Sequence, residues 1–445
     1  MITLRPYQTE LVDRVVHALG NGAGTVVMQA GTGSGKTAMA AHILARAVFA
    51  GYRAVFLAHL DTIIEDTHDR LGAAGIQSGY VQAGRPTLPN APVQVCSIAT
   101  LHRRDELPPA DLVIFDECHR APGPTARALL ERYPEASILG LTATPQRGDG
   151  RPLGDIFSEL ICGPSNKWLT EQGYLVPCDV LAGTNNAREL SVDPVDAYCE
   201  YAPESRAIVF ASNILHAQDI RDRLTKRHVV TELLLGDTPR AERRGMRDRV
   251  MRCETLVLVG VGVFIEGFDL PAIETVILAR QMSVTGSYLQ AIGRGLRPCP
   301  LYGKKKLLVL DLGGSVFLHG LPDDARTWSL TGKAVRPAET LTALRHCKNC
   351  LAIFRPAVVC PRCGARAEAS SKVPRVLSRA EKLENVSALP QHERDARYLW
   401  SLRRVAEKNI GLYGVAIERW ALSKFRQRFG RMPNAYTREG GSATN

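Results

Sequence analysis

No apolar run in this chain approaches the roughly 18 residues that a membrane-spanning helix needs, so no membrane partner is expected. The opening residues, MITLRPYQTELVDR, lack the basic-then-apolar layout of a secretory signal, and a cytoplasmic setting is the expectation. Glycine and proline, 38 and 26 of 445 residues, are too few for a low-complexity chain. With 45% apolar residues, the composition fits a globular protein instead. Nor is there an even cysteine set: eleven cysteines without a signal fit a reducing compartment better than a disulfide framework. Seven of them (Cys96, Cys118, Cys162, Cys178, Cys199, Cys253 and Cys299) stand singly and read as small apolar residues.

A chain of 445 residues is too long for one core and predicts two or three domains. Its net charge of +11 is uneven, because residues 372–445 hold fifteen Lys and Arg against seven Asp and Glu. That surplus suggests a polyanionic partner for the tail, although a solvated helical surface has the same composition. Short β-branched runs recur upstream, with helix-length segments between them. The first series is GTVVMQ, AVFLAH, VQVCSI, DLVIFD and SILGLTAT, and the second is RAIVFAS, HVVTELL, TLVLVGV, ETVILAR and KLLVLDL. Such alternation predicts two mostly parallel sheets covered on both faces. The expected limits are 1–163 and 164–340 for these domains, 341–371 for a small cysteine module, and 372–445 for a basic, mainly helical tail.

AGTGSGKT at 30–37 follows a strand and opens a helix. Gly31, Gly33 and Gly35 let backbone N–H groups curl around phosphate; Lys36 reaches the terminal phosphates, and Thr37 offers a hydroxyl to magnesium. Ala30 occupies the position where the consensus has glycine; Thr32 and Ser34 complete the loop. Downstream, LVIFDECHR ends a strand in Asp116 and Glu117. Four apolar residues before an acid fit the magnesium-binding strand of a nucleotide hydrolase, and Glu117 stands where a carboxylate can prepare the attacking water. Cys118 and His119 also raise a nucleophile–base pair, but neighbours on a strand point to opposite sides. Cys118 is therefore expected to be packed, and His119 to be a hydrogen-bonding link.

CKNCLAIFRPAVVCPRCG places Cys347, Cys350, Cys360 and Cys363 in two Cys-x-x-Cys pairs, the spacing of a four-cysteine zinc ribbon. A single pair is often redox-active; two so close favour zinc, with iron–sulfur coordination as an alternative. Four thiolates fill a tetrahedral site, so this zinc is expected to shape the chain rather than activate water. Its loss is expected to damage folding or engagement of a polyanionic partner before the nucleotide chemistry. In the tail, Tyr398, Trp400, Tyr413, Trp420, Phe425 and Phe429 interleave with arginines and lysines. They suit base stacking, or equally a small helical core.

Taken together, AGTGSGKT, DECH, TATP, EGFDLP and QAIGRGLR, in that order, resemble motifs I, II, III, V and VI of superfamily 2 helicases of the DEAD/DEAH-box type. RPYQ resembles the amino-terminal glutamine motif and AIVFAS motif IV. The wording of EGFDLP and QAIGRGLRP is similar to the XPB-like and restriction-subunit branch, and the later segments are similar to bacterial RadD-type and phage-encoded relatives. The resemblance implies two tandem RecA-like P-loop domains, a zinc ribbon and a basic tail, with ATP, Mg2+ and Zn2+ as cofactors. It implies that Gln8, supported by Arg5, reads adenine, and that Lys36, Thr37, Asp116 and Glu117 hold and cleave the phosphates. Arg294 and Arg297 would approach the γ-phosphate, and Gln290 would sense the nucleotide. Gly267 and Asp269 would connect it to a bound strand, while Thr142 and Thr144 couple hydrolysis to domain movement. Asp61 departs from the pattern, putting an acid beside an expected phosphate-backbone contact.

The resulting expectation is an ATP-dependent DNA helicase or translocase, monomeric, acting on single-stranded, forked or branched DNA beside a repair or replication protein. Alternatives are a DNA-stimulated remodelling ATPase without strand separation, an RNA helicase, and a non-catalytic DNA scaffold. No separate acidic metal cluster supports a nuclease.

Overall fold

The structure, a computed structural model, describes residues 3–22, 24–120, 123–146, 152–182, 192–264, 270–331, 345–347, 349–350, 352–355 and 357–365, and in the tail 399, 403, 415–429 and 432–433. The chain divides into a compact unit Met1–Glu368 and a second unit Ala369–Asn445.

In the first half of the larger unit α1 (Pro6–Gly20) precedes β1 (Thr25–Gln29), α2 (Lys36–Phe49), β2 (Ala54–Ala58), α3 (Asp61–Ala73) and β3 (Ser78–Val81). There follow β4 (Val93–Ser97), α4 (Ile98–His102), β5 (Leu112–Asp116), α5 (Pro124–Leu130), β6 (Ser137–Thr142) and β7 (Glu159–Cys162). The strands form one parallel sheet in the order β3-β4-β2-β5-β6-β1-β7. Both faces are covered: successive residues Val26, Val27 and Met28 of β1 are wholly buried, as the continuous apolar runs require.

The second half runs α6 (Asn166–Glu171), β8 (Cys178–Ala182), α7 (Pro194–Tyr201), β9 (Ala207–Phe210), α8 (Ile214–Lys226), β10 (Thr231–Leu234) and α9 (Arg240–Met251). It continues with β11 (Val257–Gly260), β12 (Thr275–Leu278), α10 (Thr285–Gly293), β13 (Leu307–Asp311) and α11 (Ser315–His319). Here the order is β10-β11-β9-β12-β13-β8, all parallel. β14 (Arg345–His346) and β15 (Ala352–Phe354), from the cysteine module, then add to the β8 edge in antiparallel pairing. Two parallel-sheet, RecA-like domains are thus present, and the module is a continuation of the second sheet.

Each expected strand appears. β3, β7 and β8 lay outside the expected series; they are four or five residues long and carry Ser, Gly, Glu or Asp, which blurs the strand pattern. Residues 194–201 form α7, capped by Asp193 through the N–H groups of Val195 and Asp196.

In the tail unit, α12 (Val415–Phe429) carries Ala421, which is buried in a small cluster with Leu399, Trp420 and Leu422. Arg403 pairs with Glu418, while Arg419, Lys424 and Arg426 are exposed. The core reading therefore fits Trp420; the side chains of Tyr398, Trp400, Tyr413, Phe425 and Phe429 lie outside the described residues.

Candidate active site

β1 ends at Gln29 and α2 begins at Lys36, so the chain turns between them at the carboxyl edge of the sheet. The turn relies on glycine: Gly33 (φ 88°) and Gly35 (φ 87°) are left-handed. At Gly35 a β-carbon would also fall 2.4 Å from Gln8 Nε2. That amide donates to the Ser34 carbonyl at 2.7 Å, beside the Tyr7 hydroxyl at 2.8 Å. Gln8 Oε1 accepts the Arg5 N–H at 2.9 Å. Gln8 therefore braces the loop directly. The Arg5 guanidinium lies 5.0 Å over the Tyr174 ring. Tyr174 stands 4.8 Å from Tyr7, and Trp168 is 6.1 Å from each of them. Sequence reading had no signal for Trp168 and Tyr174, which come from the segment joining the two sheets.

Lys36 Nζ donates to the Ala30 carbonyl at 3.2 Å. Burial lowers its pKa against the opposing pull of Glu117 and Asp116. Asp116 is buried at the end of β5, and Thr37 is half-buried on the first turn of α2. The strand stops there: Glu117 has φ 51°, rare for a residue with a side chain, and Cys118–Arg120 form a 3-10 turn. The alternating-strand argument for Cys118 and His119 therefore does not apply, yet the expected placements hold. Cys118 is fully buried, with its Sγ 2.7 Å from where a β-carbon on Gly140 would stand. His119 Nδ1 lies 3.2 Å from both Glu117 Oε2 and Thr142 Oγ1. Burial pushes the Glu117 carboxyl up, but His119, Lys36 and Arg294 together hold it down to about 2. Thr142 Oγ1 also accepts the Thr144 N–H at 3.1 Å, extending the link to the TATP segment.

α10 brings the second domain against this loop. A β-carbon on Gly293 would fall 2.3 Å from Thr32 Cβ, and one on Gly286 would fall 2.7 Å from Thr144 Oγ1. Gln290, between them, reaches Glu117 Oε2 at 3.4 Å. Arg294 is close enough for its charge to act on both Glu117 and Lys36. The Arg297 chain passes 3.4 Å from the site of a Gly33 β-carbon, and burial lowers its pKa. Among the described residues, the buried hydroxyls of Thr32 and Thr144 have no hydrogen-bond partner. Curled N–H groups, a buried lysine, two acids, two arginines and these hydroxyls fit a nucleoside triphosphate with its divalent cation. Gly267 and Asp269 lie outside the described residues. Asp61 accepts the Gln82 amide.

The four cysteines of the second-domain module also converge. Their sulfurs all lie within 4.8 Å of one another, with Cys347–Cys363 and Cys350–Cys360 at 3.6 Å. A tetrahedral zinc with Zn–S of about 2.3 Å needs sulfurs about 3.8 Å apart, so this donor set fits zinc. The Asn349 amide and the Ala365 N–H draw the Cys363 thiol down to about 6.

Residues 1–147 match the family described as type III restriction enzyme, res subunit, and residues 191–299 match the helicase conserved C-terminal domain. The chain is 23% identical over 339 residues to IRC3 of Saccharomyces cerevisiae, which carries a provisional ATP-dependent helicase name. That match takes in 66% of this chain and 49% of IRC3, so the chain spans about half the length of this relative. The fold resembles a fragment of a provisionally assigned HsdR subunit of a type I restriction enzyme from Vibrio vulnificus, with TM-score 0.58 and 22% identity over 74% of this chain and 70% of that one. It also resembles the type ISP restriction-modification enzyme LlaBIII bound to DNA, with TM-score 0.55 and 14% identity over 72% and 29%. The paired domains and the shared nucleotide cleft define a helicase-type ATPase. Residues 1–147 and 191–299 thus carry the paired domain types of superfamily 2 helicases.

Proposed function

We propose that the protein is an ATP-dependent DNA helicase or translocase that hydrolyses ATP to ADP and phosphate. The observation that carries this reading is the meeting of Lys36 and Glu117 of one domain with Gln290 and Arg294 of the other. The loop N–H groups between Gly31 and Thr37 hold the phosphates, and Lys36 neutralises the terminal ones. Arg5, Tyr174 and Trp168 form a ledge for the adenine ring beside Gln8. Thr37 and Asp116 would hold magnesium, which would neutralise phosphate charge.

His119, Lys36 and Arg294 hold Glu117 ionised, so its carboxylate can accept a hydrogen bond from the attacking water and orient it. A loose phosphoryl-transfer transition state asks for little more. The water oxygen bonds to the γ-phosphorus as the bond to the β-phosphate oxygen breaks, and Arg294 and Arg297 take up charge on the transferred group. Loss of the γ-phosphate removes the partner that these arginines share with Lys36, and the domains are free to part. His119, Thr142 and Thr144 tie that change to the sheet edge beneath.

DNA is favoured by the restriction-enzyme relatedness and by LlaBIII, which is described bound to DNA. RNA is the competing substrate, because backbone-tracking grooves select weakly. The test is ATP turnover on single-stranded, duplex and forked DNA and on RNA, with strand displacement on matched substrates. DNA-stimulated turnover with displacement is expected. Stimulation without displacement would indicate a remodelling ATPase, and stimulation by RNA alone would overturn the DNA assignment.

A further inference from the structure

Residues 320–331 follow α11 and leave their own domain. At one end the Gly320 carbonyl accepts the Tyr288 hydroxyl of α10 at 3.0 Å. Trp328 packs on the core of the second sheet. Two residues later the Leu330 carbonyl accepts the N–H groups of Leu153 and Gly154 in the first domain, at 2.9 and 3.0 Å. The Leu330 side chain joins the apolar cluster there that contains Leu153 and Phe157. The segment is kept in shape by Arg326, which donates to the carbonyls of His319, Leu321, Pro322 and Asp324.

Two further contacts give this crossing a direction. Asn166 Nδ2 donates to the Pro322 carbonyl at 3.3 Å, and Asn166 Oδ1 lies 2.4 Å from where a β-carbon on Gly31 would be. The crossing segment thus leans on the phosphate loop through one side chain, around a cavity of about 290 Å³ lined by Gly31, Thr32, Thr144, Asn166, Pro322 and Arg326. From the opposite side Arg355, directly after β15, donates to Asp323 at 3.1 and 3.3 Å and to the buried Asp324 at 2.7 Å. Asp324 in turn accepts the Leu321 N–H at 2.9 Å. A continuous set of contacts therefore runs from the cysteine module through Arg355, Asp324, Pro322 and Asn166 to Gly31.

We propose that Arg355 is a positioning residue for ATP hydrolysis, acting through residues 320–331 as a clasp that holds the two domains face to face. Arg355 acts through Asp323 and Asp324. Its planar fork fits two neighbouring carboxylates, and by fixing them it fixes the turn that presents the Pro322 carbonyl to Asn166 and the Leu330 carbonyl to the first domain. Of the reading above this uses ATP hydrolysis alone and does not depend on which polynucleotide is the substrate.

The test has two arms. Ideal β-carbons at positions 154 and 330 would stand 3.5 Å apart, within the range a disulfide accepts. In Gly154→Cys/Leu330→Cys protein the rate of cross-link formation under mild oxidation therefore reports whether the clasp is docked. Adding Arg355→Ala is expected to slow that rate at least fivefold, as an order-of-magnitude effect; an unchanged rate would overturn the proposal. In the second arm, Arg355→Ala in the otherwise natural chain lowers kcat for ATP about fivefold, while ADP affinity, which asks only for the first domain, moves less than about twofold. Arg355→Lys recovers part of the loss. A fall in kcat that tracks melting temperature or zinc content instead would reduce Arg355 to a structural residue and overturn the proposal. If the natural chain shows no ATP turnover, hydrolysis itself is what fails, and cross-linking still decides the clasp.

Discussion

At Glu117, burial alone would push the carboxyl up, yet His119 at 3.2 Å, Lys36 and Arg294 bring it down to about 2. A folded-state pKa below the ordinary carboxylate value near 4.3 means that the pairing adds stability above that value and loses it as pH falls toward 2. Glu117 should therefore put no acid limb on turnover between about pH 5 and 8. In His119→Ala the hydrogen bond is gone and burial has less to oppose it. We expect kcat to fall about tenfold and an acid limb to rise into the range near pH 5. A pH–rate profile of the two proteins checks this; an unshifted limb would separate His119 from Glu117. For Glu117→Gln, nucleotide binding is retained and kcat falls about 10²–10⁴-fold, the usual scale for a lost catalytic carboxylate.

Among the elements, those that make their chemistry from adjacent residues were legible in the sequence. The phosphate loop carries its glycines, Lys36 and Thr37 within eight positions, and DECH carries Asp116, Glu117 and His119 within four. The left-handed backbone of Glu117 was not legible, since no residue pattern in DECH announces it. Trp168, Tyr174, Asn166 and Arg355 were missed for a related reason: each acquires its place only when separate segments meet, and no local pattern encodes that. The cysteine module shows both sides. Its spacing announces a four-thiol site, while its hydrogen bonding to β8 is visible only in the fold. Cys360→Ser should abolish zinc binding by the module and lower the melting temperature, because structural zinc supplies roughly 10–16 kcal/mol to small modules. Metal analysis alongside hydrogen exchange at Ala352–Phe354 checks both; full protection without zinc would show that the strand stands unaided.

For the molecule as a whole, the decisive surface is where α10 meets the first domain. Gly286 and Gly293 are seven residues apart, about two helical turns, so they share one face. Their missing side chains let that face lie directly on Thr144 and Thr32. Gly286→Ala places a methyl group against Thr144 and should hold the cleft slightly open. The expected result is a tenfold or greater fall in kcat, on the scale of an ångström's misplacement, with ADP affinity and melting temperature close to those of the natural protein. Equal turnover would mean that the cleft closes by another route.

The junction of β15 with β8 has one further bearing. Without the cysteine module, β8 would be the edge of the second sheet, with the N–H and C=O groups on its outer side unpaired, an invitation to strand addition by another chain. The module covers that invitation with a strand of its own. A metal-starved population would then be recognised first by its tendency to self-associate, and the four thiols would serve as a safeguard of solubility.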